Sequence, residues 1–284
     1  MRAQKECYNC LKKLTLQTIR LAKHNSKAAS FDEEKITKNT LRYLADHFNA
    51  ATIPAQIFSR VNRKIKKLSS VADAFNKRKS CEMVLAKKTA TRLRKTIPSD
   101  LKGLLTFSAA GNCLDFFKPL HVSAKELAGS IDFTIDKGED FKKRISCSKR
   151  ILFFADNTGE CFFDLPLIQF LSKKTKVVYI VKSKPVQNDL TINDLKISGI
   201  LKKFPLVLAS GNDAVGIELS TLSGRIKKEL QACDLILAKG MGYYETFSEL
   251  SAYRDKVFYL LMAKCRPVAK SLGVPLNSYV FTQK

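Results

Sequence analysis

In the second half of this 284-residue chain, four short apolar runs each end on residues that could do chemistry. Asp156, Asn157, Thr158, Gly159 and Glu160 follow 151–155, and Asn188 and Asp189 close the segment after 177–182. Ser210, Gly211, Asn212 and Asp213 follow 206–209, and Lys239, Gly240, Met241 and Gly242 follow 235–238. Carboxylate and amide oxygens suit a hard divalent cation, while lysine and backbone N–H groups neutralise phosphate oxygens. The set therefore points to metal-assisted chemistry on a phosphate group. Each piece alone has a plainer account. Asp-Asn-x-Gly after a strand also makes a turn with a helix cap, and Lys239 reads equally as a solvated lysine. Gly240-Met241-Gly242 lacks the third glycine of a dinucleotide fingerprint, and no phosphate loop ending in Gly-Lys-Ser/Thr occurs. Recurrence at four successive run ends favours a site.

The runs must be strands for these residues to meet. Uniformly apolar segments at 151–155, 177–182, 206–209, 235–238, 257–261 and 278–281 alternate with helical stretches at 163–172, 192–197, 220–232 and 267–272. That rhythm predicts a mostly parallel sheet covered on both faces, in which ligands bind beyond the carboxyl ends of the strands. Before it, 5–23, 33–48, 55–68 and 73–96 carry apolar residues at three- and four-residue spacing and predict amphipathic helices. A further helical pattern over 100–114 ends on Ala109-Ala110-Gly111-Asn112, small residues that let another element approach closely. The mixed, acidic segment 118–148 reads as a connection. The expected organisation is a basic, mainly helical region over 1–148 and an α/β domain over 149–284.

Composition narrows the class. Apolar residues make up 45% of the chain and charged residues 27%, with 12 Gly and 8 Pro, so collagen-like, Pro-rich and disordered readings fall away. No run approaches the roughly 20 apolar residues of a membrane span, and the first twenty residues lack the apolar run of a signal peptide, so a cytoplasmic protein is expected. The eight cysteines mostly sit in apolar patterns and read as reduced core thiols. Cys7-Tyr8-Asn9-Cys10 alone has the spacing of half a metal or redox site, with Cys81, His24 and His47 as candidate completers.

The net charge of +24 is uneven, with 32 basic and 14 acidic side chains in residues 1–150 against 18 and 12 in the remainder. Such a field attracts anions: phosphorylated metabolites, anionic lipid or nucleic acid. The run Arg60-Val61-Asn62-Arg63-Lys64-Ile65-Lys66-Lys67 motivates the nucleic-acid alternative, although its lysines are interleaved with core-forming residues and no stacking aromatics accompany them. A non-catalytic phosphometabolite-binding protein is a third reading.

The segments Phe154-Ala155-Asp156-Asn157-Thr158-Gly159-Glu160-Cys161, Pro185-Val186-Gln187-Asn188-Asp189 and Ala238-Lys239-Gly240-Met241-Gly242-Tyr243-Tyr244-Glu245 resemble, in order and spacing, the damage-control phosphatase family. Residues 110–116 and 263–269 resemble that family's helical-domain and C-terminal signatures. Cys7 and Cys10 resemble its CxxC-bearing, mainly prokaryotic branch. The resemblance implies a Rossmann-like α/β domain with an N-terminal helical region packed on it. The implied activity is phosphomonoester hydrolysis of small phosphometabolites, among them sugar phosphates and nucleotides, supported by Mg²⁺, Mn²⁺, Co²⁺ or Ni²⁺.

By the same resemblance Asp156, Asn157 and Asp189 match metal ligands, while Lys239, the segment Gly240 to Tyr244 and Lys264 match phosphate- and substrate-contacting positions. Glu160 matches a position that relatives also fill one residue later, here Cys161, and Tyr243 stands where many relatives carry Asn. Asn112, Ser210 and Asn212 are further candidate phosphate contacts. Asp213 is a candidate base or an orienter of another group. The nucleophile is either a hydroxide from metal-held water or the Asp156 carboxylate.

Overall fold

The computed structural model of the chain describes residues 1–26, 31–112 and 131–283. Apolar periodicity folds the first part into α1 (Lys5–Asn25), α2 (Glu33–His47), α3 (Pro54–Ser69), α4 (Asn76–Leu93) and α5 (Leu101–Gly111). In α3 the buried side is Ile57, Phe58, Val61 and Ile65, while Arg60 and Lys67 stay exposed. Pro54 opens that helix, where a missing N–H leaves no intrahelical bond unmade. Asp32 caps α2 through the Lys35 N–H (2.9 Å) and Asp100 caps α5 through the Gly103 N–H (2.7 Å). Cys113 to Phe116, and the part of the expected connection before residue 131, lie outside the described residues.

Seven strands form one sheet: β1 (Phe133–Asp136), β2 (Arg150–Phe154), β3 (Lys176–Val181), β4 (Val207–Ala209), β5 (Leu235–Lys239), β6 (Val257–Met262) and β7 (Tyr279–Gln283), in the order β1-β7-β6-β5-β2-β3-β4. Every pairing is parallel except β6 with β7. Between the strands lie α6 (Gly138–Cys147), α7 (Cys161–Ser172), α8 (Ile192–Ile197), α9 (Gly224–Ala232), α10 (Gly240–Phe247) and α11 (Arg266–Leu272). Side chains alternate across the sheet as period two demands. Leu152 and Phe154 join Ile226, Tyr244 and Val268 on one face, while Ile151 and Phe153 join Leu104, Phe141 and Leu167 on the other. Both faces are covered, which is why the strands read as unbroken apolar runs.

The expected closeness at the end of α5 is real: a Cβ on Gly111 would stand 3.1 Å from Phe163 of α7. The helical region makes its own core from Leu11, Ile19, Leu44, Phe58 and Val61, and α3 packs on α10. No described helix is long and apolar enough to cross a membrane.

Residues 131–148 differ from the expected connection. They form β1, which pairs parallel with β7, and α6, whose Phe141 and Ile145 are buried against the sheet. β1 is an edge strand of four residues, alternately half-buried and exposed, so it lacks the apolar run that marks the inner strands. The sheet thus takes in residues on both sides of the expected 148/149 division. Reduced core thiols describe Cys7, Cys161 and Cys233, whereas Cys10, Cys81 and Cys147 are exposed. The basic run of α3 is not one solvated stripe. Arg63 and Lys66 both pair with Asp213, at 2.7 and 2.9 Å, and Arg63 also reaches Glu218 (2.9 Å).

Candidate active site

Strand order fixes where a ligand could sit. From β2 the chain builds outwards through β3 and β4, then returns to place β5 on the other side of β2. The crevice beyond the carboxyl ends of β2 and β5 is therefore a topological switch point, the usual ligand position of an open α/β sheet. Asp156 and Asn157 leave β2 there, and Gly240 leaves β5.

Backbone pairing brings in the third residue. Asn157 and Asp189 form an isolated antiparallel bridge, the Leu190 N–H donates to the Asp156 carbonyl (2.8 Å), and Thr158 donates to the Asn188 carbonyl through both N–H (2.8 Å) and hydroxyl (2.7 Å). Asp156, Asn157 and Asp189 consequently line one cavity of about 360 Å³, together with Asn112, Met241, Gly242, Lys264, Cys7 and Cys10. Two carboxylates and an amide from adjoining loops form an oxygen donor set of the kind hard divalent cations take. Among the described residues no group of three or more His, Cys, Asp or Glu is gathered to hold a metal.

Two amides hold the carboxylates. Asn112 Nδ2 donates to Asp156 Oδ2 (3.1 Å) and Glu160 Oε1 (3.0 Å), while its Oδ1 accepts the Met262 N–H (3.0 Å) and so anchors it to β6. Asn157 Nδ2 donates to Glu160 Oε1 (2.7 Å) and Asp156 Oδ2 (3.3 Å). Burial, and then the neighbouring Glu160 and Asp189 carboxylates, push the Asp156 carboxyl well above the usual carboxylate range, against the pull of Lys264 and Lys239. A divalent cation would relieve that crowding of negative charge.

Two lysines stand behind this front. Lys239 is fully buried and does not line the cavity. Its Nζ meets Asp164 Oδ1 (2.7 Å), Glu160 Oε2 (2.9 Å), the Ser108 carbonyl (2.8 Å) and the Ser108 hydroxyl (3.0 Å). Burial alone would lower its pKa, but the Asp164 and Glu160 carboxylates outweigh that and keep it a firm ammonium. Lys182, at the end of β3, places Nζ 3.6 Å from Asp189 Oδ2 and donates to the Gly216 carbonyl (2.8 Å) and to Tyr243 Oη (2.9 Å).

Tyr243, buried against Phe154, thus acts through Lys182 from behind Asp189. Lys182, Asp164 and Glu245, a cavity-lining carboxyl, were missed by sequence reasoning. The available signal was a charged residue ending or adjoining an unbroken apolar run, as at Lys182.

Burial pushes Asp189 up to about 6 from 3.8, with Lys182 pulling the other way. The sign of the linkage is then set. Between about pH 4 and pH 6 the native state holds a proton that the unfolded chain has released, so this group's stabilisation is full below 3.8 and is lost as pH rises through about 6. In EDTA, unfolding free energies across that window should fall for the wild type relative to Asp189→Asn, by on the order of 2–3 kcal/mol. Parallel curves for the two proteins would contradict a raised Asp189.

Gly240 is where the local backbone must be glycine. It adopts φ +79°, and a Cβ there would lie 1.9 Å from Asp156 Oδ2. The segment Gly240 to Tyr244 is accordingly the first turn of α10, with Lys239 as its N-cap, and not a loop. Gly240→Ala should displace the Asp156 carboxylate and cost roughly 1–3 kcal/mol from the left-handed backbone alone. Chemical denaturation reads the second effect, and an unchanged denaturation midpoint would show that the turn can relax.

Ser210, Asn212 and Asp213 lie apart from the cavity. Ser210 Oγ donates within its own turn to Asn212 Oδ1 (3.1 Å), and Asn212 Nδ2 binds Thr221 Oγ1 (2.9 Å). Arg63 and Lys66 outweigh the burial of Asp213 and hold its carboxyl below the usual range, so it joins the helical region to the sheet. Cys7 and Cys10 line the cavity beside Cys265 and Glu245. His24 stands fourteen positions beyond Cys10 on the same helix, about 21 Å away at 1.5 Å per residue, and does not join them.

A model of the damage-control phosphatase ARMT1-like domain matches residues 3–280. The chain belongs to that family. It is 31% identical over 268 residues to an uncharacterized protein of Methanocaldococcus jannaschii, covering 89% of this chain and 87% of the other. It is 28% identical over 288 residues to a damage-control phosphatase of Pyrococcus horikoshii, covering 99% and 97%. The crystal structure of a DUF89 family protein from P. horikoshii superposes with a TM-score of 0.87 at 27% identity, over 100% of this chain and 99% of that one. The fold and the phosphatase family are those expected from the residues quoted above.

Proposed function

We propose that the protein is a divalent-cation-dependent phosphatase that hydrolyses phosphomonoesters of small, damaged or unusual phosphometabolites. The observation that carries this reading is the convergence of Asp156, Asn157 and Asp189 in one cavity with Lys264. Mg²⁺, Mn²⁺, Co²⁺ and Ni²⁺ all suit two carboxylates and an amide oxygen. When bound, such an ion supplies polarisation of a phosphoryl oxygen and an offset to the charge developing there.

This chain's own residues supply the rest. Lys264 binds a phosphoryl oxygen from the same cavity. Met241 and Gly242, in the first turn of α10, present N–H groups that have no partner within the helix to an anion. Asn112 orients Asp156 and Glu160 together, Lys182 holds Asp189 from behind, and Lys239 with Asp164 fixes Glu160. These contacts fix the reactive geometry before substrate arrives, so little reorganisation is needed during transfer.

Phosphate release from p-nitrophenyl phosphate by EDTA-stripped protein, with each cation added back, tests the proposal. Activity should return only with cation. A protein inactive both stripped and reloaded, yet melting higher with a phosphorylated metabolite, would instead be a phosphometabolite-binding protein.

A further inference from the structure

Besides Asp156, Asn157 and Asp189, the cavity carries the polar side chains of Gln187, Asn188 and Glu245. Leu11 and Leu14 of α1, Phe58 of α3, Val215 and Met241 also line it, and all five are buried or half-buried. Charged liners Glu6 and Arg266 are exposed and mark its solvent edge. Asn188 is already committed, with Nδ2 on Glu82 Oε2 (3.1 Å) and its carbonyl under Thr158. Burial raises the pKa of Cys7 and Cys265, so these two liners are neutral thiols and weak hydrogen-bonding groups.

The apolar wall is also held in place. Glu245 Oε2 accepts the Ala55 N–H at the start of α3 (2.9 Å), the Val215 N–H donates to Ser59 Oγ (2.9 Å), and Asp213 pairs with Arg63 and Lys66 two residues before Val215.

We infer that this wall is the leaving-group subsite and that the substrate is a phosphomonoester with an apolar or aromatic body, not a polyhydroxylated sugar phosphate. The inference rests on the phosphatase reading above. An apolar body against Leu14, Phe58 and Val215 leaves water at no polar loss, whereas a sugar hydroxyl pressed there gives up its water without a partner. Each stranded hydroxyl weakens binding about tenfold. A volume of about 360 Å³ sits at the small end of ligand pockets and suits a body of one or two rings.

A matched pair isolates the effect. Cyclohexylmethyl phosphate and a hexopyranose phosphorylated on its exocyclic carbon are both six-membered rings esterified through a primary carbon. Their leaving alkoxides are alike, and they differ chiefly in ring hydroxyls. With cation present, kcat/KM should be at least about tenfold higher for the cyclohexylmethyl ester. Val215→Thr, which adds one hydroxyl at similar volume, should shrink that ratio by about threefold or more. A ratio of one or below, with release still cation-dependent, overturns the inference and leaves the phosphatase intact. If neither ester nor p-nitrophenyl phosphate is hydrolysed, the phosphatase reading fails. Calorimetry with the corresponding phosphonates then decides the wall, since equal affinities or no binding sink it and tighter binding of the cyclohexyl compound upholds it.

Discussion

Asp156→Ala should lower cation-dependent phosphate release by at least about 10²–10³-fold, the scale on which loss of one transition-state-stabilising group is felt. The same change should leave the metal-free fold no less stable. Asp156 is crowded by Glu160 and Asp189, and its pKa stands well above normal because burial and those carboxylates disfavour its charge. Removing it takes away repulsion, so melting in EDTA should occur at or above the wild-type temperature, while the upward shift produced by added Mn²⁺ should disappear. Those readouts separate a functional residue from a structural one. A variant that melts far lower, or keeps most of its activity, would contradict the assignment.

Lys239→Met should act in the opposite sense, chiefly on stability. Its Nζ lies between Asp164 and Glu160 in a fully buried position, at 2.7 and 2.9 Å. Truncation strands two carboxylates away from water, a loss on the order of 3–5 kcal/mol. Urea denaturation measures it. The double variant with Asp164→Asn should recover part of the loss, since one of the stranded charges is gone. Were Lys239 instead a direct phosphate contact, as its place at the end of β5 invites one to read, the single variant would raise KM with little change in denaturation midpoint.

The contrast between these two residues shows where sequence reasoning ran out. Asp156 lies just beyond β2 and Lys239 ends β5, both at the switch point. Asp156 faces the cavity and Lys239 faces inwards, because successive strand residues alternate sides and because Glu160 and Asp164, one helical turn apart, form an acceptor nest behind β5. The nest draws on Ser108, Glu160 and Asp164, which lie 131, 79 and 75 positions away from Lys239, and no local pattern announces it. Asp213 failed as a candidate base for a similar reason. Its partners Arg63 and Lys66 are about 150 positions away, on α3. β1 escaped notice because an edge strand needs only one buried face.

By itself the sequence determined the inner strands, most of the helices and the candidate residues at the strand ends. Unbroken apolar runs can persist only where both faces of a strand are covered, so they imply a parallel sheet, and its carboxyl ends offer Asp156, Asn157 and Asp189 alongside Ser210, Asn212, Asp213 and Lys239, among which the family resemblance singles out the first three. The spacing of small residues before Asn112 likewise foretold the close packing of α5 on α7. Tertiary structure alone decided which charges meet water and which meet each other. It turned Lys239 and Lys182 into buried supports, made Gly240 indispensable beside Asp156, and brought Leu11, Leu14 and Phe58 from the helical region to wall the cavity. Hydrophobic periodicity is a local property of the chain, whereas the pairing of buried charges and the lining of a cavity depend on contacts between residues far apart in it.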